Sequence, residues 1–398
     1  MTTRRNFIIN SGLATTSLLI PGFLKATEQR NSLQSSNKVL IVLQLSGGND
    51  GLNTVIPVRN DLYYKSRPKI GIDRGAALGL TDEISIHPEL KVFKSLYDEG
   101  ALTILNGVGY PNPDRSHFRS MDIWHTGSES SIYWNTGWLG RYLDAQCQSC
   151  SNSTAVLEID DVLSLALKGE KMKGLAFKDP KRLYATSLDP LYQQYAKQDL
   201  NTVHNTSLHY LYKTLSETVS STKYIYDQSN VHPSKSVYPS TEIGKSLKEI
   251  AGLVASPIDT KVYYVSHGSF DTHAGQVGQQ QRLFKELNEA LSVFVKDLKD
   301  QNRFNDVLIM SFSEFGRRVA ENASGGTDHG TANNLFLIGG GLKQKGIYNS
   351  IPDLSNLDEG DLKYSIDFRN VYATILNKWL NADDRAILKR KNDYLNFL

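Results

Sequence analysis

Hydrophobic positions first form an unbroken run at Lys38-Val-Leu-Ile-Val-Leu-Gln-Leu45, closed by the turn-forming Ser46-Gly47-Gly48-Asn49-Asp50-Gly51. A run with no polar alternation predicts a strand buried on both faces, and such strands belong to parallel sheets covered by helices. The signal repeats at Leu102–Leu105, Ala155–Ile159, Val262–Val265, Val307–Phe312 and Leu335–Ile338. Between these runs, apolar residues recur at helical spacing in His117–His125, Leu139–Gln146, Thr241–Ala255 and Gly278–Leu298. Strands alternating with helices predict an α/β fold with a central, mainly parallel sheet flanked by helices on both faces. One domain over residues 38–398 accommodates all of these elements. Within it, residues 183–240 are rich in Tyr, Ser, Gln and Asn and read as a helix (Leu188–Val219) followed by a polar loop, a possible insertion.

The start of the chain has a different character. Arg4 and Arg5 precede an apolar run diluted by Ser, Thr and Gly, with Phe7 close behind the arginines and Lys25 near its end. Residues 1–26 therefore read as an export signal of the twin-arginine type, and 27–37 as a polar tether. This predicts a periplasmic or extracellular protein, folded before export and handed to the twin-arginine translocase. The whole chain balances 44 Lys+Arg against 42 Asp+Glu. Removing the signal takes away Arg4, Arg5 and Lys25 but no acid, so the remainder is essentially neutral and no nucleic-acid partner is expected. No apolar stretch reaches the length of a membrane span, and none is expected after signal removal. Two cysteines, Cys147 and Cys150, are too few for a four-thiolate zinc site; a local disulfide and a pair of free thiols are both open readings.

Ligands of open α/β sheets bind outside the carboxyl ends of the strands. The residues following the apolar runs are Asp50 after the first, Arg115-Ser116-His117 in the loop after the second, Asp271 and His273 after the run at 262–265, and Glu314 and Arg317 after the run at 307–312. Asp328 and His329 sit in the Gly-rich stretch before the last run. Carboxylates mixed with imidazoles suit a divalent metal, with zinc or manganese favoured over calcium or magnesium. Each residue also has a plain reading: Asp50 and Asp328 as turn residues, and His117 as an acid or a packing residue. Ser116, at a helix start, is either an N-cap or a nucleophile placed where helix N–H groups stabilise an anion. Arg115 and Arg317 match phosphate or sulfate oxygens. Tyr133, Trp134 and Trp138 read as core or rim packing more readily than as a sugar-stacking wall.

Taken in order, LQLSGGNDGLNTVIP, RSHFRSMDIWHTG, FDTHAGQ, SFSEFGRR, GGTDHGTANNLFLIGGGL and DFRNVYATIL resemble the exported bacterial family of domain of unknown function 1501. That family is in turn similar to the alkaline phosphatase and sulfatase superfamily. The resemblance implies a metal-bound Asp50 after the first strand, a nucleophile at Ser116, and a metal cluster at Asp271, His273 and His329. Glu314-Phe315 stands where the superfamily usually has Asp-His, so one or two metal ions are implied, with His117 or Asp328 substituting for the missing imidazole. The cysteine motif that sulfatases convert to formylglycine is absent. The expected function is an exported, metal-dependent hydrolase of phosphate or sulfate esters acting on an anionic substrate such as a glycan or another envelope component. Ser116 would be the nucleophile, assisted by Arg115, His117 and Arg317; Asp50, Asp271, His273, Glu314, Asp328 and His329 would supply the metal ligands. Transfer to a glycan acceptor differs from this only in the group attacked. The alternative class is a non-catalytic binding or assembly protein that keeps the fold and at most a structural metal.

Overall fold

A computed structural model describes residues 37–146 and 153–398. The export segment, most of the tether and the Cys147–Cys150 pair lie outside the described residues.

The strands are β1 (Val39–Leu45), β2 (Val55–Pro57), β3 (Leu78–Gly79), β4 (Ile84–Ile86), β5 (Leu102–Gly109), β6 (Val156–Glu158), β7 (Leu175–Ala176), β8 (Val262–His267), β9 (Val307–Phe312), β10 (Asn333–Ile338), β11 (Gly346–Ile347) and β12 (Ile366–Asp367). Among the described residues, the main sheet runs β11-β5-β10-β9-β1-β8-β6-β7, with β12 also on β5, while β2-β4-β3 form a small second sheet. Every pairing in the main sheet is parallel except those of β10, which is antiparallel to both β5 and β9. The predicted mainly parallel α/β architecture is thus present.

The continuous apolar runs become the central strands because both faces of the sheet are covered. In β1, Ile41 and Leu43 enter one core and Leu40 and Val42 the other, as the two-residue side-chain period requires. The first core packs against the helices Lys91–Asp98, Glu242–Ala255 and Gln276–Asp300. The second packs against His117–Thr126, Trp138–Gln146 and Phe368–Thr374. Thr241 starts its helix by accepting a hydrogen bond from Gly244 N–H at 3.3 Å.

Residues 183–240 differ from expectation. Instead of one helix over Leu188–Val219 there are Pro190–Ala196 and a long helix Thr206–Val231. Pro190 at the first helical turn and the Asn205 cap at Leu208 N–H set these boundaries. Ile225 of the long helix is fully buried in the first core, so this segment contributes to the main domain. Trp138 is also core: it is 1% exposed and stacks on Tyr372 at 4.2 Å between ring centroids.

Candidate metal centre and adjoining serine

The direction of β10 decides what gathers at one sheet edge. The loops after β1, β5, β8 and β9 leave from carboxyl ends, whereas the loop carrying Thr327-Asp328-His329 arrives at the amino end of β10. Because β10 runs against its neighbours, that arrival falls on the same edge. The loops touch through small residues. Gly47 adopts φ 121°, and a Cβ there would come within 2.5 Å of Asp271 N. Gly48 adopts φ 73° beneath the Phe315 ring, where any Cβ would overlap the ring.

Asp271, His117 and His329 bring one ligand atom each within 4.8 Å of one another. His329 Nδ1 faces the Arg115 carbonyl oxygen at 2.8 Å, so Nδ1 donates and Nε2 carries the lone pair. That Nε2 lies 3.2 Å from Asp271 Oδ1 and 2.9 Å from His273 Nε2. His117 is arranged alike: Nδ1 donates to Glu314 Oε1 at 2.9 Å, while Nε2 is buried without a hydrogen-bond partner, 3.4 Å from Asp271 Oδ2. With both rings neutral, the two Nε2 lone pairs face the carboxylate oxygens of Asp271, an arrangement that a bound cation resolves. Residues and tautomers fit a divalent metal, with the carboxylate–imidazole orientation typical of such sites.

The charges are tuned by the same contacts. Burial raises the Asp271 carboxyl, but the hydrogen bond and positive charge of Arg317 outweigh this and bring it down to about 2. Burial lowers His329, favouring its neutral ring. The hydrogen bond to Glu314 raises His117.

The remaining expected residues divide. Glu314 is buried and accepts from Gly47 N–H at 2.9 Å as well as from His117, so it orients His117 instead of joining the gathered set. His273 lies beside the set, 3.1 Å from Asp271 Oδ1, and Asp328 stands outside it, 3.4 Å from His273 Nδ1. Asp50 is not brought to the cluster. It is fully buried, caps the short helix Gly51–Thr54 through Leu52 N–H at 3.1 Å, pairs with Arg67 at 2.6 Å, and accepts from Gln276. Arg317, expected to contact substrate, is 1% exposed and donates to Thr327 O at 2.9 Å, Phe270 O at 3.1 Å and Asp271 Oδ1 at 2.7 Å, besides Gly47 O and Gly48 O. Its buried guanidinium is committed to tying four loops together, not presented to a ligand.

Ser116 occupies the N-cap position of His117–Thr126 with no side-chain capping bond, and it is exposed. The first-turn N–H groups therefore remain unclaimed by the serine. Its backbone is well fixed: Ser116 N–H donates to Asp114 Oδ1 at 2.7 Å, and its neighbours are Arg115, bonded to His329, and His117 itself. Arg115 engages the buried Asp361, donating through Nε at 2.8 Å, and its side chain stays 40% exposed. Sequence reasoning missed Asp361 and Arg67; neither follows an apolar run, and no local signal marks a lone acid in a loop as an arginine holder.

Among solved structures, the chain is similar to the PsFucS1 sulfatase from Pseudoalteromonas sp., at 12% identity over 94% of this chain and 75% of that one, TM-score 0.41. It is similar to murine ectonucleotide pyrophosphatase/phosphodiesterase 5 at 8% identity over 90% and 97%, TM-score 0.41. It is also similar to the lipoteichoic acid synthase LtaP from Listeria monocytogenes at 10% identity over 79% and 69%, TM-score 0.37. At that distance these likenesses say nothing about the chemistry of this chain. No curated protein matches the sequence. The family profile described as "Protein of unknown function (DUF1501)" matches residues 37–395, and the chain belongs to that family.

Proposed function

We propose that the protein is an exported, metal-dependent hydrolase of phosphate or sulfate esters in which Ser116 is the nucleophile. The observation that carries this reading is the convergence of His117 Nε2 and His329 Nε2 on Asp271, each ring having its other nitrogen already committed as a donor. His117, Asp271 and His329 would hold one divalent ion, with His273 near enough to join them. Commitment of Asp50 to Arg67 favours a single ion over a pair. A bound divalent ion would supply positive charge to an ester oxygen and to a serine alkoxide.

The chain's own groups support the rest. Ser116 Oγ is free of capping duty, and the N–H groups of the following turn can receive an anion. Arg115, steadied by Asp361, adds a cation beside them. Attack by Ser116 Oγ on phosphorus or sulfur forms the Oγ–P or Oγ–S bond as the bond to the ester oxygen breaks, the Oγ proton leaving to solvent and the departing oxygen taking one up to leave as the alcohol. Water then attacks the same atom, breaks the Oγ bond and returns Ser116 with phosphate or sulfate released.

Ser116→Ala tests this. Because the hydroxyl makes no capping bond, stability should fall by less than the ~1 kcal/mol typical of a lost cap. Metal content should persist, and hydrolysis of aryl phosphate and aryl sulfate should disappear. Turnover retained in Ser116→Ala would overturn the nucleophile assignment.

A further inference from the structure

A cavity of about 410 Å³ lies beside the histidine cluster, lined in part by Tyr110, Asn112, Phe315, Asp358, Lys363 and Tyr364. Its volume is within the range of small-molecule sites. Two observations connect it to the candidate centre. Phe315, one of its lining residues, packs on His117 and His329 with ring centroids 4.8 and 4.7 Å apart. Pro113, also in the lining, stands three residues before Ser116, a stretch that spans at most about 11 Å when extended.

The lining also indicates what would bind. Asp358 and the one lysine of the lining, Lys363, bring opposite charges, so the lining carries no net positive charge. The cavity is therefore ill suited to a phosphate or sulfate group. Aromatic rings, a carboxylate acceptor and the Asn112 amide instead match a neutral ring that carries hydroxyl groups: its C–H faces lie against aromatic side chains and its hydroxyls meet polar ones.

We infer that this cavity is a binding site for a neutral, hydroxylated ring of pyranose size, which forms the uncharged part of the ester whose anionic group meets Ser116. The link to the ester rests on the hydrolase reading above; binding of the ring does not.

Saturation-transfer NMR on the full protein, with a panel of methyl glycopyranosides and with phenol as an uncharged aromatic control, tests the inference. At least one pyranoside should show transfer that is selective among epimers. Tyr364→Ala and Asp358→Ala, both at exposed positions, should weaken that pyranoside's affinity by about five-fold or more while melting like the parent protein. Absence of transfer to every pyranoside would overturn the inference. So would transfer to phenol alone, or pyranoside transfer unchanged in both variants. Hydrolysis of aryl phosphate and aryl sulfate is assayed in parallel. Pyranoside binding without hydrolysis keeps the cavity assignment and removes the hydrolase reading, whereas hydrolysis without pyranoside binding does the reverse.

Discussion

At His117 the two ring nitrogens are held in different roles by different elements, and this division is what makes the residue usable. Glu314, delivered by β9, fixes Nδ1 as a donor; Nε2 is left buried, partnerless and facing Asp271. Glu314→Gln preserves shape but removes the charge that orients and enriches the imidazole. Metal affinity should fall by about 10–100-fold with little change in fold, as measured by competition with a chromogenic chelator. Unchanged affinity would mean that Glu314 is not the orienting group. Much of this was legible in sequence, because strand ends directed attention to His117, Asp271, Glu314 and His329. Their division of labour was not. Whether a carboxylate ligates or supports a ligand depends on a few ångströms, and spacing does not encode that. Asp50 and Arg317 illustrate the limit: both stand at strand ends, yet burial commits them to Arg67 and to backbone carbonyls respectively.

Among the elements, the central strands and the helices at 117–126, 242–255 and 276–300 were readable from periodicity because their burial pattern is strong. The direction of β10 was not readable, since an apolar run looks the same in either sense, and it is this direction that brings His329 to the site. The boundaries within 183–240 were missed because a polar helix lacks the apolar stripe that marks its ends. The end of β6 yields a pH prediction. Glu158 is 3% exposed, and burial pushes its carboxyl up to about 7 despite the Ser164 N–H donated at 2.7 Å. Between its unfolded value of about 4.3 and about 7, the folded state holds this proton more tightly than the unfolded chain does. Its contribution to stability is thus complete below about 4, is lost as pH rises through that window, and is on the order of 3–4 kcal/mol in all. Glu158→Gln should gain on the parent protein by that order between pH 4 and 7.5 in denaturant melts. Parallel stability curves would contradict the assignment.

For the molecule as a whole, the described residues form one α/β domain with its candidate chemistry at a single sheet edge, and no helix among them is long and apolar enough to cross a membrane. Export is proposed from Arg4-Arg5 and the diluted apolar run that follows. Replacing both arginines with lysine should leave the precursor in the cytoplasm on fractionation; unchanged export would reject the twin-arginine route. The central claim, that His117, Asp271 and His329 hold a divalent ion, is tested most directly by elemental analysis of the purified protein and its variants. The parent protein should carry about one equivalent of zinc or manganese, and His117→Ala, Asp271→Asn and His329→Ala should each lose it while remaining folded. A metal-free parent protein that also fails to bind added zinc or manganese, or full occupancy in all three variants, would contradict the account.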